Sequence, residues 1–438
     1  MIRACKEMGI KTVAIFSEAD EDCLHTTMAD ESVCVGPANA ASSYLNIANI
    51  LSAAEVYGCD AIHPGYGFLS ESERFASLCK ECNITFIGPS LEMIQKMGNK
   101  DEARKSVKEA GVVVVPGSAG IVETYEIALK EAIRLGFPVL IKAAAGGGGK
   151  GMRIIYQEKE MKEAFELARS EALSAFGSPD VYIEKYITPV RHIEIQVLGD
   201  KKGNIVCFPE RDCSLQRRNQ KLIEETPSPF IWQRLRKKLM NAAYKAAHSC
   251  RYESAGTVEF IVNEKGDFYF LEMNTRIQVE HPVTEILTGV DIVKEQIKVA
   301  ASQELDIETS DFYEPEGCAM EFRINAEDYK KDFMPSPGEI KFCFFPGGPG
   351  VRVDTHIYSG YTVPRNYDSL LAKIIVYEKD RDGLLKRARR VLEEIRIEGV
   401  PTTKDFYLKI LDYHELAQGK ITTDSITRIF EWLEEKKL

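Results

Sequence analysis

Apolar positions in the first hundred residues fall in short runs, KTVAIFS, CDAIH and ITFIGPS, separated by segments with helical spacing from Tyr44 to Tyr57 and from Glu71 to Cys82. Strand alternating with helix is the rhythm of a parallel α/β sheet. The chain opens inside a helix, IRACKEMG, with no strand ahead of it, so the predicted sheet lacks the strand that normally feeds that helix. From about residue 99 to 318 the pattern changes to helices mixed with longer alternating strands. Of these, RHIEIQVLGD and GNIVCFPERD flank the turn Gly199 to Gly203 and are expected to pair antiparallel. Beyond Cys318, AMEFRINAED, GEIKFCFF and SLLAKIIVYE predict further strands, and helices are expected from Asp382 to Ile397 and from Thr403 to Tyr413. Three units follow, an α/β unit at 1–98 and α+β units at 99–318 and 319–438, because 438 residues exceed what one core usually supports.

The run KAAAGGGGKGMR lies between two apolar strands, Phe137 to Ile141 and Met152 to Tyr156. A P-loop would end in Gly-Lys-Ser/Thr and open a helix, and this run does neither. It reads as a flap whose bare backbone N–H groups can close over phosphates.

The segment GTVEFIVNEKGDFYFLEMNTRIQVE, Gly256 to Glu280, predicts a β-hairpin turning at Glu264 to Asp267, with Asn263 opposite Phe268. Counting outward puts Glu259 opposite Glu272. Like charges across a ladder repel, and a divalent cation such as Mg²⁺ or Mn²⁺ would offset them. The period-two pattern then continues. Glu272, Asn274, Arg276, Gln278 and Glu280 alternate with Met273, Thr275, Ile277 and Val279, so an extended chain would carry all five polar side chains on one face.

Composition changes this picture little: 44% hydrophobic and 28% charged residues describe an ordinary globular protein. The net charge of -11 argues against a general nucleic-acid binder but leaves room for a local basic pocket around Arg211, Arg217, Arg218 and Lys221. No apolar run approaches the length of a membrane helix and the N-terminus lacks a signal-peptide core, so no membrane association and a cytoplasmic location are expected. The 11 cysteines are scattered and odd in number, as reduced thiols would be. Cys79 and Cys82 read as helical and not as half of a zinc site. Cys213 reads as a buried thiol, and His63 and His281, each before a proline, as structural.

Four signatures in order, HPGYGFLSE, KAAAGGGGKGM, ERDCSLQRRNQKLIEE and EMNTRIQVEHPVTE, resemble the biotin carboxylases of the ATP-grasp superfamily from Ile2 to about residue 425. The resemblance implies a Rossmann-like pre-ATP-grasp domain at 1–98 without its first strand, an ATP-grasp domain at 99–318 with a glycine-rich lid at about 115–187, and a biotin carboxylase C-terminal domain at 319–438. It implies that Lys100, Lys142, Gly146, Gly147, Gly148, Gly149, Glu184, Lys185, Ile187, His192 and Gln216 contact ATP. Glu259 and Glu272, assisted by Asn274, would hold two Mg²⁺ or Mn²⁺ ions. Lys221, Arg276, Gln278 and Val279 would cradle bicarbonate, with Glu280 as its base, and Arg352 and Tyr66 would sit at the biotin ring.

The implied reaction is ATP-dependent carboxylation of biotin through carboxyphosphate. The implied partners are a biotin carboxyl carrier protein, carboxyltransferase subunits and a second copy of the chain as a homodimer. Two other readings stay open: a different ATP-grasp ligase, such as a carboxylate-amine ligase, and a truncated nucleotide-binding subunit without turnover. The acyl acceptor is not legible, nor is the effect of Asn219, where many relatives carry histidine.

Overall fold

The computed structural model describes residues 1–144 and 152–436. Its N-terminal part carries β1 (Val13–Phe16), β2 (Glu31–Cys34), β3 (Ala61–Ile62) and β4 (Thr85–Phe86), with helices at Ile47–Val56 and Glu73–Glu81 between them. Asn46 and Ser72 cap those helices, their side chains accepting from the N–H groups of Asn49 and Phe75. The strands do not form one sheet. β1 pairs with β2 and β3 with β4, both parallel, and the two pairs remain separate. Val13 to Ile15 of β1 and Ile62 of β3, with Ile50 and Phe75 from the helices, border one end of a cleft of about 1590 Å³.

A second, smaller sheet has the order β6-β5-β7, from β5 (Val139–Ala143), β6 (Met152–Ile155) and β7 (Val181–Lys185), all antiparallel. Val139 and Ile141 point toward the helices Tyr125–Leu135 and Met161–Phe176, where Ala128, Ala132, Phe165 and Ala168 close a separate apolar core. Lys142 falls on the opposite face, as strand alternation requires. The expected strand–glycine–strand order is therefore present, while Gly146 to Gly149 themselves lie outside the described residues.

The long alternating segments build the main sheet: β8 (Val190–Gly199), β9 (Ile205–Arg217), β10 (Gln220–Thr226), β11 (Ser254–Asn263), β12 (Phe268–Asn274), β13 (Cys318–Asn325), β14 (Val351–Thr355) and β15 (Leu370–Glu378). They order as β12-β11-β8-β9-β10-β13-β15-β14, antiparallel throughout. The sheet thus continues across the boundary expected at 318. One face of its first half packs on the helix Gln233–Ser249, joining Ile193, Ile195, Val197 and Phe208 to Leu239, Ala243 and Ala246. On the other face of β8, His192, Glu194 and Gln196 are buried as well. A polar row covered on that side is no solvated face. Among the described residues no helix is long and apolar enough to cross a membrane.

The hairpin β11–β12 corrects one count and preserves another. Phe268 lies opposite Val262, not Asn263, so the loop is Glu264–Gly266 and Gly266 takes a left-handed φ of +82°. A bulge between Glu259 and Phe260 absorbs the extra residue, and Glu259 still faces Glu272. The Asn263 side chain fixes the loop by accepting from the N–H groups of Lys265 and Asp267. The extended run expected to reach Glu280 ends sooner. β12 stops at Asn274, Thr275 turns away with its N–H and hydroxyl on Glu71, and the chain enters the helix His281–Thr288.

Gly266 is the residue whose replacement reports on this register. A Cβ there meets Trp232 Cζ2 at 3.1 Å and runs into the neighbouring Cη2, in a backbone conformation that L-residues resist. Gly266→Ala is expected to cost about 2 kcal/mol, read as a lowered urea midpoint with unchanged slope. An unchanged midpoint would show that the loop does not constrain the hairpin.

Candidate active site

The antiparallel register brings Glu194 of β8, Glu259 of β11 and Glu272 of β12 into one line across the sheet. From β10, Lys221 reaches into this row. Its ammonium donates to Glu194 at 2.5 Å, to Glu280 at 2.5 Å and to Glu259 at 3.3 Å. A second cation, the fully buried Arg211, bonds Glu194 from the other side and is held by Gln196 (2.9 Å), Thr257 (3.0 Å) and Thr284 (3.0 Å). Three buried carboxylates are thereby matched by cations, as burial demands.

The charges hold one another in place. Burial would lower the Lys221 ammonium, yet Glu194, Glu259 and Glu280 keep it well above the usual lysine range. Burial would likewise raise Glu280, but Lys221, Arg323 and Arg211 hold it well below the ordinary carboxylate range. Glu259 is held low in the same way, against burial, by Lys221 and His192. His192 Nε2 stands 3.1 Å from Glu259 but off the line of a hydrogen bond, and that ion pair raises the imidazole despite its burial.

The expected polar row assembles although the chain turns. Asn274 Nδ2 donates to Glu259 at 2.9 Å, Gln278 Nε2 to Glu259 at 3.4 Å, and Arg276 to Gln278 at 3.1 Å. Arg276 also bonds Glu71 at 3.1 Å, a partner that sequence reasoning missed. The Val279 carbonyl accepts from Lys373 of β15 at 2.7 Å, and that ammonium lies 6.0 Å over the Tyr66 ring. Lys100 is 3.6 Å from Glu272 at the sheet edge. Gln216 lies opposite Lys221 across β9 and β10.

On the smaller sheet, Lys142 pairs with Glu184 at 2.6 Å, and Arg104, also missed, bonds Glu184 and the Val115 carbonyl. Lys185 spends its ammonium on the carbonyls of Gly136 and Phe137. Its N–H goes to Pro116, and that of Tyr186, before Ile187, goes to Pro138.

Arg323 and Arg352 separate. Arg352 is gripped by Asp354 (3.0 and 2.8 Å) and Glu285 (2.7 Å), on the wall of the same cleft as Tyr66. Arg323 on β13 reaches the centre of the site, donating to Glu280 at 2.9 Å and Glu224 at 2.6 Å. Sequence reasoning missed it, although the alternation of Glu321, Arg323 and Asn325 in AMEFRINAED marks the same kind of polar row.

Other readings are settled by contacts. His63 is held neutral, burial pushing it down to about 4, and it is fixed by Gly65 and Gln296. His281 is also buried and held neutral. Burial pushes the Cys213 thiol well up, Cys79 is buried in its helix, and Cys82 follows the helix end. Asn219 and Arg218 form the two-residue β9–β10 turn at φ +65° and +49°, a conformation asparagine tolerates readily.

Glu259 and Glu272, opposed on one rung, offer the carboxylate oxygens that Mg²⁺ selects, while Asn274 turns its amide nitrogen to Glu259 and its oxygen toward Arg276. The residues present fit such an ion. His192, Glu194 and Glu259 also come within 4.8 Å of one another, but Lys221 and Arg211 already hold Glu194.

Residues 1–94 match the family described as biotin carboxylase, N-terminal domain, and residues 321–428 its C-terminal domain. Residues 99–308 match the ATP-binding domain of the carbamoyl-phosphate synthase L chain. Biotin carboxylase 1 of Bacillus subtilis is 55% identical over 424 residues, 97% of this chain and 94% of its own. The chain belongs to the biotin carboxylase family. Its fold is accordingly that of a biotin carboxylase of Campylobacter jejuni solved as a β-γ-ATP complex, with TM-score 0.95, 46% identity and coverage of 98% of this chain and 95% of that one. The biotin carboxylase domain dimer of the Hydrogenobacter thermophilus 2-oxoglutarate carboxylase, in complex with MgADP, ADP and bicarbonate, matches at TM-score 0.92 and 48% identity over 99% of this chain and 94% of that one. An ATP-dependent carboxylating ligase is thus the enzyme class of this family member.

Lys221 is the cation on which the carboxylate cluster depends, so Lys221→Met is expected to destabilise the fold by about 3 kcal/mol at pH 7. The sign of the pH effect follows from the depressed carboxylates. In the native protein their contribution is present above the unfolded value of 4.5 and is lost as pH falls through the lower folded value. In the variant the carboxylates instead gain stability by taking up protons. Urea unfolding of both proteins at pH 7 and pH 5 should therefore show a smaller difference at pH 5, and an equal difference would contradict this balance.

Proposed function

We propose that this chain carboxylates biotin with bicarbonate and ATP, with Glu280 as the base and Lys221, Arg276 and Arg323 as the cations that bind and orient the reacting anions. The observation carrying this is the Glu280 carboxylate, fully buried yet held ionised between Lys221 and Arg323, both of which line the cleft. An ionised carboxylate can take the bicarbonate proton, and Arg276 with Gln278, which shares Glu259 with Lys221, would hold the anion. The bicarbonate oxygen then attacks the γ-phosphorus of ATP, releasing ADP and forming carboxyphosphate. Lys100, Lys142 and His192 supply positive charge along the nucleotide side, the kind of positioning on which phosphoryl transfer depends. Glu259, Glu272 and Asn274 would hold Mg²⁺ or Mn²⁺, which when bound neutralises phosphate charge.

Carboxyphosphate breaks down to CO₂ and phosphate, and the phosphate removes the N1′ proton of biotin. The negative charge that develops on the ureido oxygen needs a donor in a site closed to water. Arg323 is assigned this role because one edge of its guanidinium faces Glu280 and the cleft, whereas Arg352 is occupied by Asp354 and Glu285. Tyr66, on the cleft wall, offers a ring face to the biotin bicycle. The biotin is proposed to arrive on a carrier protein and leave to carboxyltransferase subunits, with the chain acting as a homodimer. The final acceptor is proposed to be chosen by those subunits, the relatives including a pyruvate carboxylase subunit and a 2-oxoglutarate carboxylase domain.

The test is phosphate release from MgATP with and without bicarbonate and free biotin. Turnover should require bicarbonate and rise with biotin, and Glu280→Gln should lower kcat by about 10²–10⁴-fold. Arg323→Met should abolish the biotin stimulation while nucleotide still binds, and Arg352→Met should affect it less. The reverse order would move the ureido contact to Arg352, and bicarbonate-independent turnover would favour another ATP-grasp ligase.

A further inference from the structure

Behind Glu280 lies a second pair of carboxyl groups that the mechanism above does not use. β10 and β13 run antiparallel with Glu224 directly opposite Glu321, and side chains opposed on one rung share a face of the sheet. Both are fully buried. Glu224 Oε1 accepts from Arg323 Nε at 2.6 Å, while Glu224 Oε2 and both oxygens of Glu321 have no hydrogen-bond partner among the described residues. Three orphaned carboxylate oxygens on one buried rung are costly unless something donates to them.

The surrounding charges do not fill that role. On the same strand Arg323 is divided between Glu224 and Glu280, and Lys373 of β15 gives its ammonium to the Val279 carbonyl and stands 3.9 Å from Asp354. From β10, Lys221 is engaged by three other carboxylates, and the helix His281–Thr288 offers Glu280 at its cap and a neutral His281. A proton on one carboxyl supplies the missing donor.

We propose that Glu321 and Glu224 share a single proton in the working enzyme and that Glu321 is a positioning residue for Arg323. The O–H of one carboxyl donates to the other, so the rung carries one negative charge, matched by the Nε side of Arg323. Nη2, which also stands 2.6 Å from Glu224, then keeps its hydrogen bond to Glu280. Two full charges on the rung would draw the guanidinium away from Glu280, and none would release it wholly onto Glu280. The surroundings favour the shared state: burial, outweighing the opposing pull of Lys373 and reinforced by Glu224, lifts Glu321 well above the carboxylate range, and burial brings Glu224 to about 7. As pH rises, the second ionisation of the pair puts two charges on the rung.

This inference rests on Glu280 as the base, but its first test does not. Infrared spectra of the wild-type protein at pH 8 should show the carbonyl stretch of a protonated carboxyl that is missing in Glu321→Gln. The amide can donate to Glu224 as the acid did, so kcat of Glu321→Gln near pH 7.5 should stay within about threefold, with KM for ATP and bicarbonate unchanged. Its alkaline limb should move up by about one pH unit or more, because the group that titrates is gone. Glu321→Asp, which shortens the reach but still titrates, should lower kcat and keep the limb. A wild-type spectrum without that band, a band that survives in Glu321→Gln, or superimposable pH profiles would each overturn the proposal. If Glu280→Gln kept full turnover while the band behaved as described, the base assignment would fail and the shared proton would stand.

Discussion

The ammonium of Lys221 holds the centre of this molecule together. It stands within 3.3 Å of three carboxylates contributed by β8, β11 and the turn before the helix at His281. A buried charge of this kind is tolerated only when its partners are equally buried and equally close. The burial of β8 on both faces and the placement of Arg211 behind Glu194 are therefore parts of one constraint. The order of the main sheet serves it as well, since β11, β8, β9, β10 and β13 must be neighbours for Glu259, Glu194, Lys221 and Arg323 to meet.

Much of this was legible because strand alternation and antiparallel counting are local rules. The glutamates of β11 and β12 could be set opposite each other from the positions of turn residues alone. That the register survived is instructive. The turn was miscounted by one, and the bulge at Glu259/Phe260 restored the pairing at the residues that matter. A bulge leaves no mark in the hydrophobic pattern, whereas the opposed charges do. The same rule overreached beyond Asn274, where the alternation continues to Glu280 but the chain leaves the ladder to reach Glu71. Periodicity reports which residues are polar together, and tertiary contacts decide whether the backbone stays straight.

Contacts between distant strands were not legible. Glu224 and Arg323 are 99 positions apart and meet only because β10 and β13 are adjacent across the unit boundary expected at 318. Nothing in either segment names the other. The choice between two arginines of similar surroundings, Arg323 in AMEFRINAED and Arg352 in GVRVDTHIYSG, turns on which strand is central. β13 lies inside the sheet and β14 at its edge, so only Arg323 can approach Glu280. The N-terminal part shows the converse case, a sheet rhythm correctly read from sequence but realised as two separate parallel pairs.

The cations that make Glu280 available also make it weak. A carboxylate held well below its ordinary range stays ionised near neutral pH and is a poorer proton acceptor. Its basicity must be recovered when the site fills. On the proposed assignment, bicarbonate and phosphate would compete for Lys221, and a biotin oxygen would compete for Arg323. Each hydrogen bond transferred from Glu280 to substrate raises the carboxylate toward its usual range at the moment a proton is offered. With Glu280 as the proposed base, the resting cluster is a set of donors parked on it, and substrate binding and base activation would be one exchange of partners. Under that exchange the protonation of Glu224 and Glu321 matters at a distance, because it sets how far Arg323 is free to change hands.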